Sequence, residues 1–578
     1  VNYAATDFGD YFSATGAVAG STHYQSAFFE PMILNYMNSG SQGQLSMDDP
    51  KWAAYANWEM SIQTPPEPRF GNLRKGYSNG DGNTEADVRT GMLGTAMHAT
   101  NPALASNLMW AWQQSNAPNR LTEDSQFVTT LAAIDPSIPA VAPQLASTNI
   151  PGYHSVERHN FGTPQETALW FIDGGFYSTG GHRHYDDGQV SIYALSAPLA
   201  IDWNANLYSP ETPGRFMHNS IVYDSELAPR NWSDDQPDPA LVSSLFQNPT
   251  NTEFAAFQMS TTATGTFLSR DGTTTWTRTV RTLNFNPSYP IIYVNDTFAG
   301  SGAGTGKTLT WNLMATGAVQ TPAGAVTPII RFSAGCQSPA GALPSNGLVN
   351  PVPQGLGHFR FTGATWPAHA TQGIDWDLYT VSNNATGQFL IGNWGHGCHS
   401  TGESAEYQQI NGAPFAETQH ILRVHGNGGF TTVMLPNRKG EARANTVTQQ
   451  ACGTEVTQGS EITCFNASAA SYAKGGTRLL AVFDSSTQTD FGLTVTGGPQ
   501  EVIVESSQII WTLGGVQAGP RSITLPGIWY PSPAQGVTRT GNTWTYNYAG
   551  LPSPQQGADT VAAQPVPVTI TFSQVPVP

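Results

Sequence analysis

The stretch GGHRHYDDGQVSIYALSAPLAIDWN, residues 180–204, is followed at residues 215–224 by RFMHNSIVYD. Together they hold the densest polar cluster in the chain. The nine residues Gly180 to Gly188 run straight into a β-rich segment, Gln189 to Leu195, and a second apolar segment ends at Asp202. In an extended backbone successive side chains alternate in direction, so His182 and His184 point the same way. Two imidazoles on one face, with Asp202 and His218 arriving from neighbouring strands, suit a divalent metal. Zinc accepts imidazole nitrogen and carboxylate oxygen in tetrahedral geometry.

Upstream of this stretch the texture is helical. Tyr24 to Asn38 carries Phe28, Phe29, Met32, Ile33, Tyr36 and Met37 at helical spacing. Asp49-Pro50 and Asn101-Pro102 each place a capping side chain before a proline at the first helical position. Thr84-Glu-Ala-Asp87 resembles a capping box and opens a further helix. Thr122 opens a last one through Ile134. Downstream, runs such as Ala168 to Ile172, Pro290 to Val294 and Phe430 to Leu435 are short and β-rich, with turn signals between them. Helices first and sheets afterwards predict an α+β multidomain chain, not a nucleotide-binding parallel sheet. The expected units are a helical part over 1–145, an antiparallel β-sandwich over 146–440 and a smaller all-β unit over 441–578. Gly302-Ala-Gly-Thr-Gly-Lys307 lacks the first glycine of a phosphate loop and no helix pattern follows it. It reads as a hairpin turn.

The combination of His182-x-His184-x-Asp186, a strand, an apolar strand ending in Asp202, and then His218-Asn219 resembles the heparinase II/III-like polysaccharide lyases. The match is close over Gly180 to Asp224 and looser elsewhere. The resemblance implies an (α/α) toroid preceding a large antiparallel β-sandwich, with a sugar chain lying between them. It implies His182 as the catalytic-site histidine, and His184, Asp202 and His218 as ligands of a structural Zn2+. Gly20-Ser-Thr-His-Tyr24-Gln resembles the stretch that carries the family's catalytic tyrosine, which implies Tyr24. A complete toroid needs more helices than the five read here, and no counterpart of the family's carboxylate-neutralising residues precedes Tyr24. The expectation is that the chain starts late, or that a separate N-terminal chain or segment completes the toroid.

Composition narrows the partners. Charged residues are 11% of 578, less than half of the usual share, and net charge is −17. A nucleic-acid binder carries a basic excess, so that class is set aside. An acidic polysaccharide remains compatible if basic side chains gather locally. Arg183 and Arg158 are the candidates near the motif, with Arg69, Arg74, Lys75 and Arg89 in the helical part. No window approaches 18 consecutive apolar residues, so no membrane-spanning helix is expected. The start at Val1 carries no signal peptide and reads as processed or cut. The four cysteines, Cys336, Cys398, Cys452 and Cys464, form no C-x-x-C pair. Cys452–Cys464 and Cys336–Cys398 would suit a secreted or periplasmic protein, although four cysteines allow three pairings. Asn231, Asn295, Asn384 and Asn466 match the glycosylation acceptor. The expected activity is β-elimination on a uronate polymer. A toroid glycoside hydrolase lacks a convincing carboxylate pair, and a non-catalytic carbohydrate-binding protein on a lyase scaffold is the other alternative.

Overall fold

The structure is a computed structural model. It describes residues 50–66, 68, 72–77, 88–115, 133–145, 147–150, 154–172, 188–201, 218–224, 241–247, 254–261, 274–326, 329–330, 357–363, 373–382, 388–395, 418–441, 443–514, 518–533, 535–550 and 568–574. Among these residues there are three helices, Pro50–Ser61, Val88–Met97 and Pro102–Gln114, and the rest is β-rich. The helix starts follow local chemistry. Asn101 Oδ1 accepts from the Leu104 amide at 3.2 Å, and Pro102 follows it at the first helical position. Glycines bring the second and third helices together. A Cβ on Gly91 would stand 2.9 Å from the Trp112 ring, and one on Gly94 3.0 Å from Met109 Sδ. The expected helix Tyr24 to Asn38, the capping box Thr84 to Asp87 and most of the helix opened by Thr122 lie outside the described residues.

The described strands form four sheets, of ten, nine, nine and five strands. Pairing is antiparallel except where Ile329–Ile330 runs beside Gly392 and Asn393. Period-two alternation explains how the layers stack. In the first sheet Leu169, Phe171, Val190, Ile192, Leu309 and Trp311 face inward. They pack on Val280, Ile292, Val294, Trp376 and Met434 of the second sheet. Their neighbours Val156, Ala168, Trp170 and Tyr193 face the other way and pack on Trp52, Tyr55, Leu108 and Trp112 of the helices. The strand Val190–Ala194 is buried at every position because both of its faces are covered.

The outer face of the second sheet packs on the third through Leu283, Tyr293, Val433, Val456 and Phe465. Arg281 strengthens that contact by donating to the carbonyls of Asn466, Ala467 and Ala469. The third sheet packs on the fourth through Val482, Val495, Trp511, Ile523 and Trp544. The disulfide Cys452–Cys464 ties the first two hairpins of the third sheet, with Cα atoms 6.1 Å apart. Cys336 and Cys398 lie outside the described residues.

The Gly302–Lys307 segment is a turn, but not a hairpin. It leaves the strand Ile291–Ala299 of the second sheet and enters Lys307–Leu313 of the first. Lys307 Nζ donates to the carbonyls of Gly302, Ala303 and Thr305 at 2.8–3.0 Å. The lysine closes the turn by satisfying its carbonyls, the opposite of presenting a cation to phosphate.

Candidate active site at the helix–sheet seam

Of the residues expected to form the site, Tyr24, His182, Arg183, His184 and Asp202 lie outside the described residues. His218 is described and is fully buried. Among the described residues no three His, Cys, Asp or Glu side chains gather as a metal site. The donor types of the expected set, two imidazoles and a carboxylate, fit zinc.

What the structure does describe is how the two motif segments are fastened. Residues 180–187 feed into Gly188, whose positive φ of 75° turns the chain into the strand Val190–Ala194. The other segment enters through His218 and Asn219. Asn219 Nδ2 donates to the Val190 carbonyl at 2.9 Å, and Asn219 Oδ1 accepts from the Asn312 amide at 2.6 Å. One side chain thus registers three segments. From the second sheet, Arg278 Nη1 donates to the carbonyls of both Gly188, at 2.8 Å, and Asn219, at 2.7 Å.

The helical layer closes over the same place. Tyr77 stacks on Trp170 with centroids 5.1 Å apart, and Trp170 meets Tyr193 edge-on at 5.5 Å. The Tyr77 hydroxyl lies 3.2 Å from Ser191 Oγ and accepts from Gln189 Nε2 at 3.3 Å. Residues 188–191, which continue the histidine segment, are therefore gripped by the helical layer on one face and the second sheet on the other.

The basic residues expected to meet substrate are largely consumed by the fold. Arg158 is a correction. Its guanidinium is buried and donates to Glu166 Oε1 at 2.6 Å and to the Gln63 carbonyl at 2.7 Å. Arg158 alternates with Glu157, which faces the second sheet, so its side chain points toward the helical layer, where these acceptors occupy it. Arg74 donates to both oxygens of the same Glu166, at 3.0 and 2.6 Å, and packs over Phe161. Burial opposes ionisation of Glu166, but the hydrogen bond from Arg74 and the charges of Arg158 and Arg74 outweigh it. They hold the carboxyl below its ordinary value. Lys75 and Arg89 are buried as well, the latter 3.5 Å from Glu59. Trp52, Trp58 and Trp112 are core residues rather than stacking platforms.

In the sequence Asn219 stands out only as part of the motif, and Tyr77, Arg278 and Asp296 carry no assigned role. The signal for the last two was present: Arg278 and Asp296 are charges in strands otherwise rich in buried residues. They sit opposite each other in register on adjacent strands.

No protein-family model matches the sequence, and no curated protein does. Among solved structures the chain is similar to a heparan sulfate lyase from Pedobacter heparinus, with a TM-score of 0.48 and 10% identity. That match covers 80% of this chain and 61% of the other. It is also similar to a heparinase III gene product, with a TM-score of 0.49 and 9% identity over 83% of this chain and 58% of the other. The chain thus spans less than two thirds of the length of the heparinase III and heparan sulfate lyase structures that it matches.

Proposed function

We propose that the chain is a polysaccharide lyase that cleaves a uronate-containing polymer by β-elimination, outside the cell or in the periplasm. The observation that carries this reading is the junction at Gly188 and Asn219. There the two motif-bearing segments are fastened to each other beneath the helical layer. A uronate C5 proton is acidic because it is α to a carboxylate, and its removal builds charge on that carboxylate. A base must take the proton while an acid protonates the C4 oxygen that leaves. His182 and Tyr24 are the proposed pair, with Arg183 meeting the substrate carboxylate. Histidine titrates near neutrality and suits either role. His184, Asp202 and His218 would hold a structural zinc, whose contribution is to fix the segment next to His182. The Cys452–Cys464 disulfide supports an oxidising compartment. No helix among the described residues is long and apolar enough to cross a membrane.

The test is a screen of uronate polymers, including alginate, heparan sulfate and chondroitin sulfate, for ultraviolet-absorbing products. A lyase leaves unsaturated ends that absorb. New reducing ends without absorbance would show a hydrolase. Binding with neither product would show a non-catalytic carbohydrate-binding protein.

A further inference from the structure

Arg278 and Asp296 form a buried ion pair in the core between the first two sheets, with side chains 0% and 1% exposed. Arg278 Nε and Nη2 fork onto the two Asp296 oxygens at 2.7 and 3.1 Å, and Trp276 Nε1 donates to Asp296 Oδ1 at 2.8 Å. The guanidinium lies over the Trp276 and Trp311 rings, 5.1 and 5.7 Å from their centroids. Its remaining nitrogen crosses from the second sheet to the first and takes the Gly188 and Asn219 carbonyls.

A buried charge pair is weak evidence of net stability, because desolvation offsets the attraction. Two apolar side chains could fill the same core volume. They could not satisfy the Gly188 and Asn219 carbonyls, which do not lie in one continuous ladder. What the guanidinium does that no apolar pair can is hold both segments at one distance. Asp296 and the two tryptophans fix the guanidinium itself, so the holding point is rigid. Lysine cannot reproduce this, since it lacks the planar fork.

We propose that Arg278 is a positioning residue for the histidine segment. It fixes the spacing between Gly188, where the histidine segment joins the described chain, and the His218–Asn219 turn, with Asp296 as its anchor. The catalytic part of this proposal rests on the lyase reading above. The structural part does not.

The experiment compares wild type with Arg278→Lys and Asp296→Asn by backbone amide exchange and by turnover of whichever uronate polymer the wild type cleaves. In Arg278→Lys, peptides covering 186–192 and 216–222 should exchange about tenfold faster, the loss expected for hydrogen bonds from a charged donor. Peptides from the third and fourth sheets should not change. kcat should fall about tenfold with KM held within a factor of about three, because a misplaced histidine segment impairs the chemical step more than binding. Asp296→Asn, which keeps the shape of the anchor, should give a smaller change of the same pattern. Unchanged exchange in both segments of Arg278→Lys would overturn the clamp. So would faster exchange spread evenly over all four sheets, which would mark a plain core residue. If the wild type cleaves no polymer, the lyase reading fails while the exchange result still decides the clamp. If the wild type cleaves and Arg278→Lys frees both segments with kcat intact, the positioning role fails alone.

Discussion

Glu157 offers a sharp electrostatic test of the sandwich. Alternation in the strand His154–His159 turns Glu157 and His159 toward the second sheet, where both meet Thr282. Thr282 Oγ1 donates to Glu157 Oε2 at 2.6 Å, and His159 Nε2 lies 2.5 Å from the same hydroxyl. Glu157 Oε1 has no hydrogen-bond partner among the described residues. Burial raises the carboxyl from 4.5 to about 8, against a smaller opposing pull from the Thr282 hydrogen bond. The folded protein therefore holds a proton that the unfolded chain releases above about pH 4.5. The stability tied to that proton is fully present below pH 4.5 and is lost as pH rises through about 8. At about 1.4 kcal/mol per pH unit the full loss is about 5 kcal/mol. Glu157→Gln cannot ionise and still offers Thr282 an acceptor. Urea unfolding of wild type and variant, measured side by side from pH 4 to 9, cancels the other titrating groups. The variant should match wild type near pH 4 and gain on it by about 1 kcal/mol or more per pH unit above pH 5, levelling off past pH 8. A stability difference that stays flat from pH 5 to 8 would refute the reasoning, because it would mean that Glu157 is ionised in the fold.

Glu166→Ala strands the buried Arg74 and Arg158 guanidiniums without their shared counter-charge. It should cost about 3–5 kcal/mol, read by urea unfolding, with the helical layer released to protease first. Removing the Cys452–Cys464 bridge by Cys452→Ser with Cys464→Ser should cost about 2–4 kcal/mol in thermal unfolding, and unreduced peptide mapping of wild type should recover the linked pair. Lys307→Met leaves three turn carbonyls without their common donor and should cost about 1–3 kcal/mol, with turnover unchanged once folded. His182→Ala should abolish most turnover with folding and metal content intact, whereas His184→Ala should lower metal content and stability together; equal zinc in both would sink the ligand assignment.

The features legible in the sequence were those set by neighbours along the chain. Asn101-Pro102 announces its helix because a cap and a first-turn proline act within four residues. The strand Thr167–Ile172 was visible because the run Ala168 to Ile172 is locally β-rich, and Cys452 and Cys464 pair across only 12 residues. What stayed hidden depends on partners far away in sequence. Arg158 read as a free cation near the motif because nothing local shows that Arg74, 92 residues before Glu166, would share its carboxylate. The Gly302–Lys307 turn has the same composition whether the next strand pairs with the last or crosses to another sheet. Only the packing of Leu309, Trp311 and Leu313 against the second sheet decides for crossing.

The same distinction separates the two kinds of site residue. Residues that would act on substrate stand out in sequence, because a dense run of histidines and carboxylates is conspicuous in a chain with so few charges. Residues that aim them are disguised as core. Arg278 sits between inward-facing Trp276 and Val280 in its strand, and its reach to Gly188 spans 90 residues of sequence. Its usefulness follows from that distance. A hydrogen bond within a hairpin can only stabilise the hairpin, whereas one from the far sheet fixes two segments that have no ladder in common. A buried charge whose hydrogen bonds cross between sheets, and whose acceptors lie in a polar motif, is therefore the feature by which such aiming residues can be found.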